Sequence, residues 1–242
     1  MRVSAPPCPI ASTTSNIAVD IACDKEETKN LLGAAEIPVP KGDVVRSEEG
    51  LKDTISRIGY PIVIKPIDGN HGKGNTTNIT TWEQAQTAFA AAKQYSRSVI
   101  VEKYITGFDF RALVINYKFI CAALRTPASV IGDGKNTIQH LIDETNKDPR
   151  RGYGHEKVLT QITIDQFTQK MLDEKGYTLE TIPAKDELVL LKPTANLSTG
   201  GTSTDVTDEV HPANIIMCER IAKIIGLDIC GIDIMATDLR TP

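Results

Sequence analysis

Apolar positions along the chain follow two periods, and the switch between them marks out the elements. Asp24 is followed three positions later by Glu27, and Thr28, Leu31, Leu32 and Ala35 share one side, which predicts a helix stopped before Pro38 and Pro40. A short strand is expected at Val44 and Val45. Ser47 then opens a second helix with Leu51, Ile55 and Ile58 at helical spacing and Gly59 as its stop. Ile62, Val63 and Ile64 are consecutive β-branched residues, the composition of a strand covered on both faces, and Pro66 ends its ladder. Residues 75–79 read as a return strand. Thr81 to Gln84 has the form of a capping box, opening a helix with Ala85, Ala88, Phe89 and Ala92 inward.

The second half changes character. Residues 98–105 form a strand that is apolar and then abruptly charged, and residues 110–116 and 118–126 read as two strands joined by a tight turn at Asn116 and Tyr117. Gly132 to Gly134 marks a turn, Thr137 caps a short helix, and residues 148–155 are too rich in Pro and Gly to be regular. A helix over about 164–175 stops at Gly176, and a strand covers 187–192. A polar loop follows at 194–204. Pro212 begins a helix with Ile215, Ile216, Ile221, Ile224 and Ile225 read as core, closed by Gly226, and the last strand is 229–236. This order is α+β, with a small sheet-and-helix unit from 59 to 105, a larger mixed sheet after it, and a cleft between two lobes.

Composition narrows the function. The 242 residues are 40% hydrophobic and 24% charged, with a net charge of −4, enough for a sizeable core and too acidic to favour nucleic acid or an anionic membrane surface. No apolar run approaches a transmembrane length. The five cysteines are an odd number with no Cys-x-x-Cys pair, which points to reduced thiols and a cytoplasmic setting rather than disulfides or zinc. The N-terminus, with Pro6, Pro7 and Pro9, reads as a ragged start rather than a targeting peptide.

The candidate chemistry centres on Lys65, delivered at a strand end into a loop with Gly69, Gly72 and Gly74 and, between them, Asn70, His71 and Lys73. Such a backbone reaches positive φ and turns several N–H groups toward one anion. It lacks the Gly-Lys-Ser/Thr ending of a Walker A loop and does not open a helix as a dinucleotide fingerprint does. A flap over phosphates and a plain polar turn both fit this segment alone.

Together with the charged exit at Glu102, Lys103, Tyr104 and Ile105, the carboxylate of Asp109 seven residues after Glu102, and Asp233 on the last strand, the constellation resembles the ATP-grasp superfamily. The resemblance implies that Lys25, Lys65 and the flap residues Gly69, His71, Gly72, Lys73 and Gly74 contact ATP phosphates. It places the hinge against adenine at Glu102, Lys103, Tyr104 and Ile105, the ribose contact at Asp109, and a magnesium ligand at Asp233.

Six segments in order, 24–29, 68–74, 132–134, 148–152, 196–202 and 230–234, are similar to the ATP-grasp domain of the cyanophycin synthetase family. That family implies ATP-dependent activation of the C-terminal carboxylate of a poly-aspartate/arginine chain and coupling to the amine of L-aspartate. It implies ATP and Mg2+ as cofactors, an acidic polymer primer, and a homo-oligomer in the full-length protein. The domains expected are an N-terminal remnant (1–23), leading helices (24–58), a small lid lobe (59–105) and an incomplete large lobe (106–242). Arg111 is the candidate catalytic guanidinium, with a surface salt bridge as its plainer role, and Asn196, Ser198, Thr199, Gly200 and Gly201 are the candidate substrate loop. The pair Arg150 and Arg151 suits either an acidic substrate or solvent.

ATP-grasp enzymes supply further metal ligands from a Glu-x-Asn pair on the strand after the Asp, and Pro242 comes nine residues after Asp233. The expectation is therefore a piece of a longer synthetase with its final strands missing. Gly231 stands where many of these ligases place an arginine, leaving Arg111 to substitute. The alternatives are a glutathione-synthetase-like ligase and a nucleotide-binding module without turnover.

Overall fold

The computed structural model describes residues 14–67, 74–154 and 156–242. Two short helices lead. In α1 (Asn16–Cys23) the Ser15 hydroxyl accepts the Ala18 N–H at 3.1 Å, and the proline-bearing start read as ragged lies outside the described residues. In α2 (Lys25–Ala34) Asp24 accepts the N–H groups of Glu26 and Glu27, the cap its position predicts. Helix α2 packs on a late helix, whose Arg220 donates to the Ala35 carbonyl at 2.7 Å.

The small lobe takes its first strand and helix from before Gly59. It comprises β1 (Gly42–Val45), α3 (Glu48–Ile58), β2 (Ile62–Pro66), β3 (Thr76–Ile79), α4 (Trp82–Lys93) and β4 (Val99–Lys103). The sheet runs β1-β4-β2-β3, every neighbour antiparallel. Ile62 and Ile64 alternate with half-buried Val63 and Lys65, and their side of the sheet meets Leu51 of α3 and Phe89 of α4 in one core. Strand β2 is thus covered by helices on one face only. Its other face carries Val63 and Lys65.

The large lobe follows directly: β5 (Phe108–Ile115), β6 (Lys118–Thr126), β7 (Ser129–Ile131), α5 (Ile138–Asn146), β8 (Arg151–Gly152), β9 (Leu159–Thr160), α6 (Gln166–Asp173), β10 (Leu188–Leu190), β11 (Thr202–Asp205), α7 (Pro212–Ile225) and β12 (Ile229–Ala236). Its main sheet is β11-β6-β5-β12, again antiparallel. Asn116 and Tyr117 both have positive φ, 53° and 59°, the pair that a type I′ hairpin turn requires. Phe110, Ala112 and Val114 point to the helix side, where Cys218 and Ala222 of α7 meet Ala112 and Val114, and Ile215 of α7 packs against the cluster that holds Phe110. The segment after β12 docks on α7, with Asn214 Nδ2 donating to the carbonyls of Leu239 and Thr241 at 3.1 and 2.7 Å.

Between β6 and β11 the chain builds a third core that the periodicity did not separate. Val130, Ile138, Leu172 and Val189 close it, on α5, α6 and the β7–β10 pair. The stretch read as an irregular loop contributes β8, paired in parallel with β9. The polar loop read over 194–204 ends in β11, an edge strand on β6. Ile216, read as core, is 65% exposed, because α7 presents Cys218, Ile221, Ala222 and Ile225 inward instead.

Candidate active site

Lys65 and Glu102 project from the face of the small sheet opposite α3 and α4. In the β2/β4 register Val63 is opposite Glu102, which sets Lys65 diagonally across, with Nζ 2.7 Å from Glu102 Oε2. Lys29, one helical turn after Lys25 on α2, reaches the other oxygen at 3.1 Å and also donates to the Gly42 carbonyl at 2.9 Å. Burial pushes the Glu102 carboxyl up, but the ammoniums of Lys65 and Lys29 outweigh it and hold the group below its ordinary value. Lys25 Nζ donates to the Ile67 carbonyl at 3.2 Å, at the mouth of the glycine loop. Three lysines therefore gather where β2 enters that loop. Lys29 was not singled out from the sequence, although its spacing of four from Lys25 placed both on one helix face.

The glycine loop is described only at its end. Gly69, His71, Gly72 and Lys73 lie outside the described residues. Gly74 has φ 70°, and a Cβ there would fall 2.7 Å from the Tyr95 ring, so backbone and packing both require glycine. In the segment expected to form a hinge, Glu102 faces lysines and the Lys103 ammonium donates to the Gly59 and Tyr60 carbonyls at 3.3 and 2.5 Å. The N–H groups of Lys103 and Tyr104 bond to the carbonyls of Lys41 and Pro61. Ile105 is 38% exposed.

On the large sheet, four charges from three neighbouring strands share the face opposite α7. Arg125 lies across from Asp109 and donates to its Oδ1 from Nε (2.9 Å) and Nη2 (2.6 Å), while the same Nη2 stands 3.0 Å from Asp233 Oδ1. Arg111, across from Asp233, donates from Nη1 to that oxygen at 2.8 Å. The expected ribose ligand, metal ligand and catalytic arginine thus meet, joined by Arg125. Nothing local in the sequence singles out Arg125, since its neighbours depend on register. Met235, directly across from Asp109 and 47% exposed, adds apolar surface beside these charges.

The 196–201 loop arrives at the same end of this sheet, because Ser203 on β11 is opposite Arg125. Its donors turn inward. The N–H groups of Thr199 and Gly201 bond to the Asn196 carbonyl, as does the Thr199 hydroxyl, and the Gly200 N–H bonds to Leu197. Asn196 Nδ2 donates to the Thr194 hydroxyl. In the candidate substrate loop these groups make the turn, centred on Leu197–Thr199, and leave Ser198 at its tip. Buried Arg151 holds it from beneath, Nη1 donating to the carbonyls of Gly200 (3.0 Å) and Thr160 (2.7 Å). Its neighbour Arg150 forks onto Asp148, and that hydrogen bonding lowers the Asp148 carboxyl to about 2.

Residues 30–118 match the model of the ATP-grasp domain. The chain has the ATP-grasp fold. It is 52% identical over 230 residues to the cyanophycin synthetase of Trichormus variabilis, covering 95% of this chain and 26% of that protein. The crystal structure of a bifunctional glutathione synthetase from Pasteurella multocida superposes with a TM-score of 0.66 at 34% identity, over 96% of this chain and 32% of that one. The D-alanine–D-alanine ligase of Bacillus anthracis shares the fold, with a TM-score of 0.56 at 13% identity over 92% of this chain and 55% of that one. The chain spans about a quarter of the length of the cyanophycin synthetases it matches.

For an ATP-grasp domain these cations suit a polyphosphate: Lys25, Lys29 and Lys65 converge at the glycine loop, and Glu102 orients Lys29 and Lys65 by pairing with both. Magnesium is a different matter. Asp233 shares one oxygen between two guanidiniums, and among the described residues no three His, Cys, Asp or Glu side chains are grouped as a metal site. The donor set therefore does not fit a metal as it stands, since Mg2+ seeks near-octahedral oxygen ligands. Among the described residues no helix is long and apolar enough to cross a membrane, and Cys23, Cys121, Cys218 and Cys230 are free thiols.

Proposed function

We propose that this chain is the ATP-binding portion of an amide-forming ligase that phosphorylates the C-terminal carboxylate of a poly-aspartate/arginine chain and couples it to the amine of L-aspartate. The observation that carries the reading is the 52% identity to a cyanophycin synthetase across 95% of the chain, against 34% to glutathione-forming relatives. In this reading α1 and α2 lead in, the small lobe from β1 to β4 forms the lid and 106–242 the base of the cleft.

ATP supplies the phosphoryl group that turns the carboxylate into an acyl phosphate, from which the incoming amine displaces phosphate. The work left to the protein is positioning and charge neutralisation. Lys65 and Lys25 hold the phosphates, with Lys29 and Glu102 fixing Lys65. Asp109 accepts from the ribose hydroxyls, with Arg125 orienting its carboxylate. Glu102 to Ile105 line the adenine edge and Met235 offers an apolar surface beneath the ring. Arg111, at the exposed face of the base, presents a guanidinium to carboxylate oxygens. The flap from Gly69 to Gly74 excludes water from the reactive acyl group. The loop at Asn196, Ser198, Thr199, Gly200 and Gly201 borders the substrate side. No step is assigned to magnesium at Asp233.

The test is ADP release by the intact protein given a poly-aspartate/arginine primer and L-aspartate. Release requiring both, and abolished by Lys65→Ala, is expected. Turnover with γ-glutamylcysteine and glycine instead would favour the glutathione-like alternative, and nucleotide binding without turnover on either pair would leave a binding module.

A further inference from the structure

Gly231 sits on β12 on the same face of the large sheet as Arg111. In the β12/β5 register Asp233 is opposite Arg111 and Gly231 is opposite Leu113, so Arg111 and Gly231 are diagonal neighbours. The Arg111 side chain lies back across the glycine. A Cβ placed on Gly231 would fall 2.5 Å from both Nε and Nη2 of Arg111 and 2.7 Å from Cζ, well inside van der Waals contact. The guanidinium fills the room that any side chain at this position would take.

The backbone does not explain the glycine. Gly231 is absent from the positive-φ positions and continues an ordinary antiparallel ladder in the middle of an eight-residue strand. Glycine within a strand weakens it, which makes close approach by another group the physical reason for one here. The atoms that would collide with a Cβ belong to the far end of a flexible side chain that is itself 48% exposed. A side chain at 231 therefore turns Arg111 out toward solvent rather than unfolding the sheet.

We propose that Gly231 is a positioning residue for carboxylate activation: its bare Cα is the seat on which the Arg111 guanidinium lies flat, held to Asp233 and beside Arg125. The proposal rests on the role given to Arg111 above. Held flat, the guanidinium keeps Nη1 2.8 Å from Asp233 Oδ1. Displaced, it loses both that bond and its fixed orientation, which a planar fork needs to meet a carboxylate with two donors.

A double-mutant cycle in the intact protein separates this role from a structural one. Gly231→Ala should lower carboxylate-dependent turnover by on the order of 10²-fold, the scale of misplacing a catalytic group by about 1 Å, with KM for ATP unchanged. In an Arg111→Ala background, where the guanidinium that a Cβ would meet is gone, adding Gly231→Ala should change turnover by less than about twofold. In parallel, the Nε–Hε resonance of Arg111 should move and sharpen on Gly231→Ala while the melting temperature holds. Equal losses in both backgrounds, no loss in either, or an unmoved Arg111 resonance would overturn the proposal. A wild-type protein without carboxylate-dependent turnover marks failure of the functional reading instead, and the resonance still reports whether the seat exists.

Discussion

Lys65 and Glu102 stand diagonally across two neighbouring strands of the small sheet, with the ammonium nitrogen 2.7 Å from a carboxylate oxygen that is almost wholly buried. The pair orients Lys65 before any nucleotide arrives, and Lys29 anchors the carboxylate from the other side.

Removing Lys65 should therefore do more than delete a charge. Lys65→Ala is expected to weaken nucleotide binding at least tenfold, about 1.4 kcal/mol or more, in titration calorimetry with ADP. Lys29→Ala should give a smaller loss of the same sign, because Lys29 acts through Glu102. Equal affinity in wild type and Lys65→Ala would remove Lys65 from the phosphate site.

Glu102 also sets a pH dependence. Its folded value is held below the ordinary 4.5 by the two lysines, so the unfolded chain takes up protons first as pH falls. The stability it contributes is complete above about 4.5 and is lost as pH drops through the lower folded value. Melting temperature measured from pH 3 to 7 should therefore fall at the acid end. Glu102→Gln should flatten that fall and lower the plateau. An acid limb of unchanged size in Glu102→Gln would assign it to other carboxylates.

Arg125 neutralises Asp109 and Asp233 at once, from a side chain only 16% exposed. Arg125→Ala leaves Asp109 without its guanidinium partner and Asp233 with Arg111 alone, and should cost about 1–3 kcal/mol in chemical denaturation. Arg125→Lys should recover little of it, since one ammonium cannot reproduce the Nε and Nη2 contacts. Full recovery by lysine would show that charge alone suffices.

Arg151 makes a local prediction. Its Nη1 is the side-chain donor that reaches the Gly200 carbonyl from beneath the loop. Arg151→Met should leave the fold intact and speed hydrogen exchange at the Gly200 and Gly201 amides about tenfold, the worth of one hydrogen bond of about 1–1.5 kcal/mol. Unchanged exchange at those amides would show that the loop holds itself.

The third core offers a control. Leu172 is fully buried among residues of the β6–β11 insertion alone. Leu172→Ala should cost about 2–5 kcal/mol of insertion stability, seen as faster exchange in α5 and α6 while β2 and β4 keep their protection. A uniform loss across both lobes would mean that the three cores unfold as one.

Much of this was legible along the chain because the signals are local. Asp24, Ser47, Thr81, Thr137 and Gly226 each cap the helix they were expected to cap, since a cap is decided by side chain and backbone within four residues. The turn at Asn116 and Tyr117 is local in the same sense. The short strands β7, β8, β9 and β11 were not legible. Each is two to four residues long, too short for alternation to register, and exists because a distant partner supplies its hydrogen bonds.

The site divides along the same line. Sequence alone determined the kinds of group present: a lysine at the end of a β-branched strand, glycines after it, carboxylates at Glu102, Asp109 and Asp233, and an arginine at 111. Tertiary structure decided what each of them faces. Register turned Glu102 toward Lys65 and Lys29, joined Asp109 to Asp233 through Arg125, and laid Arg111 over Gly231. A side chain's type is written at one position, whereas its partner across a sheet depends on strand order and a register that shifts by whole residues.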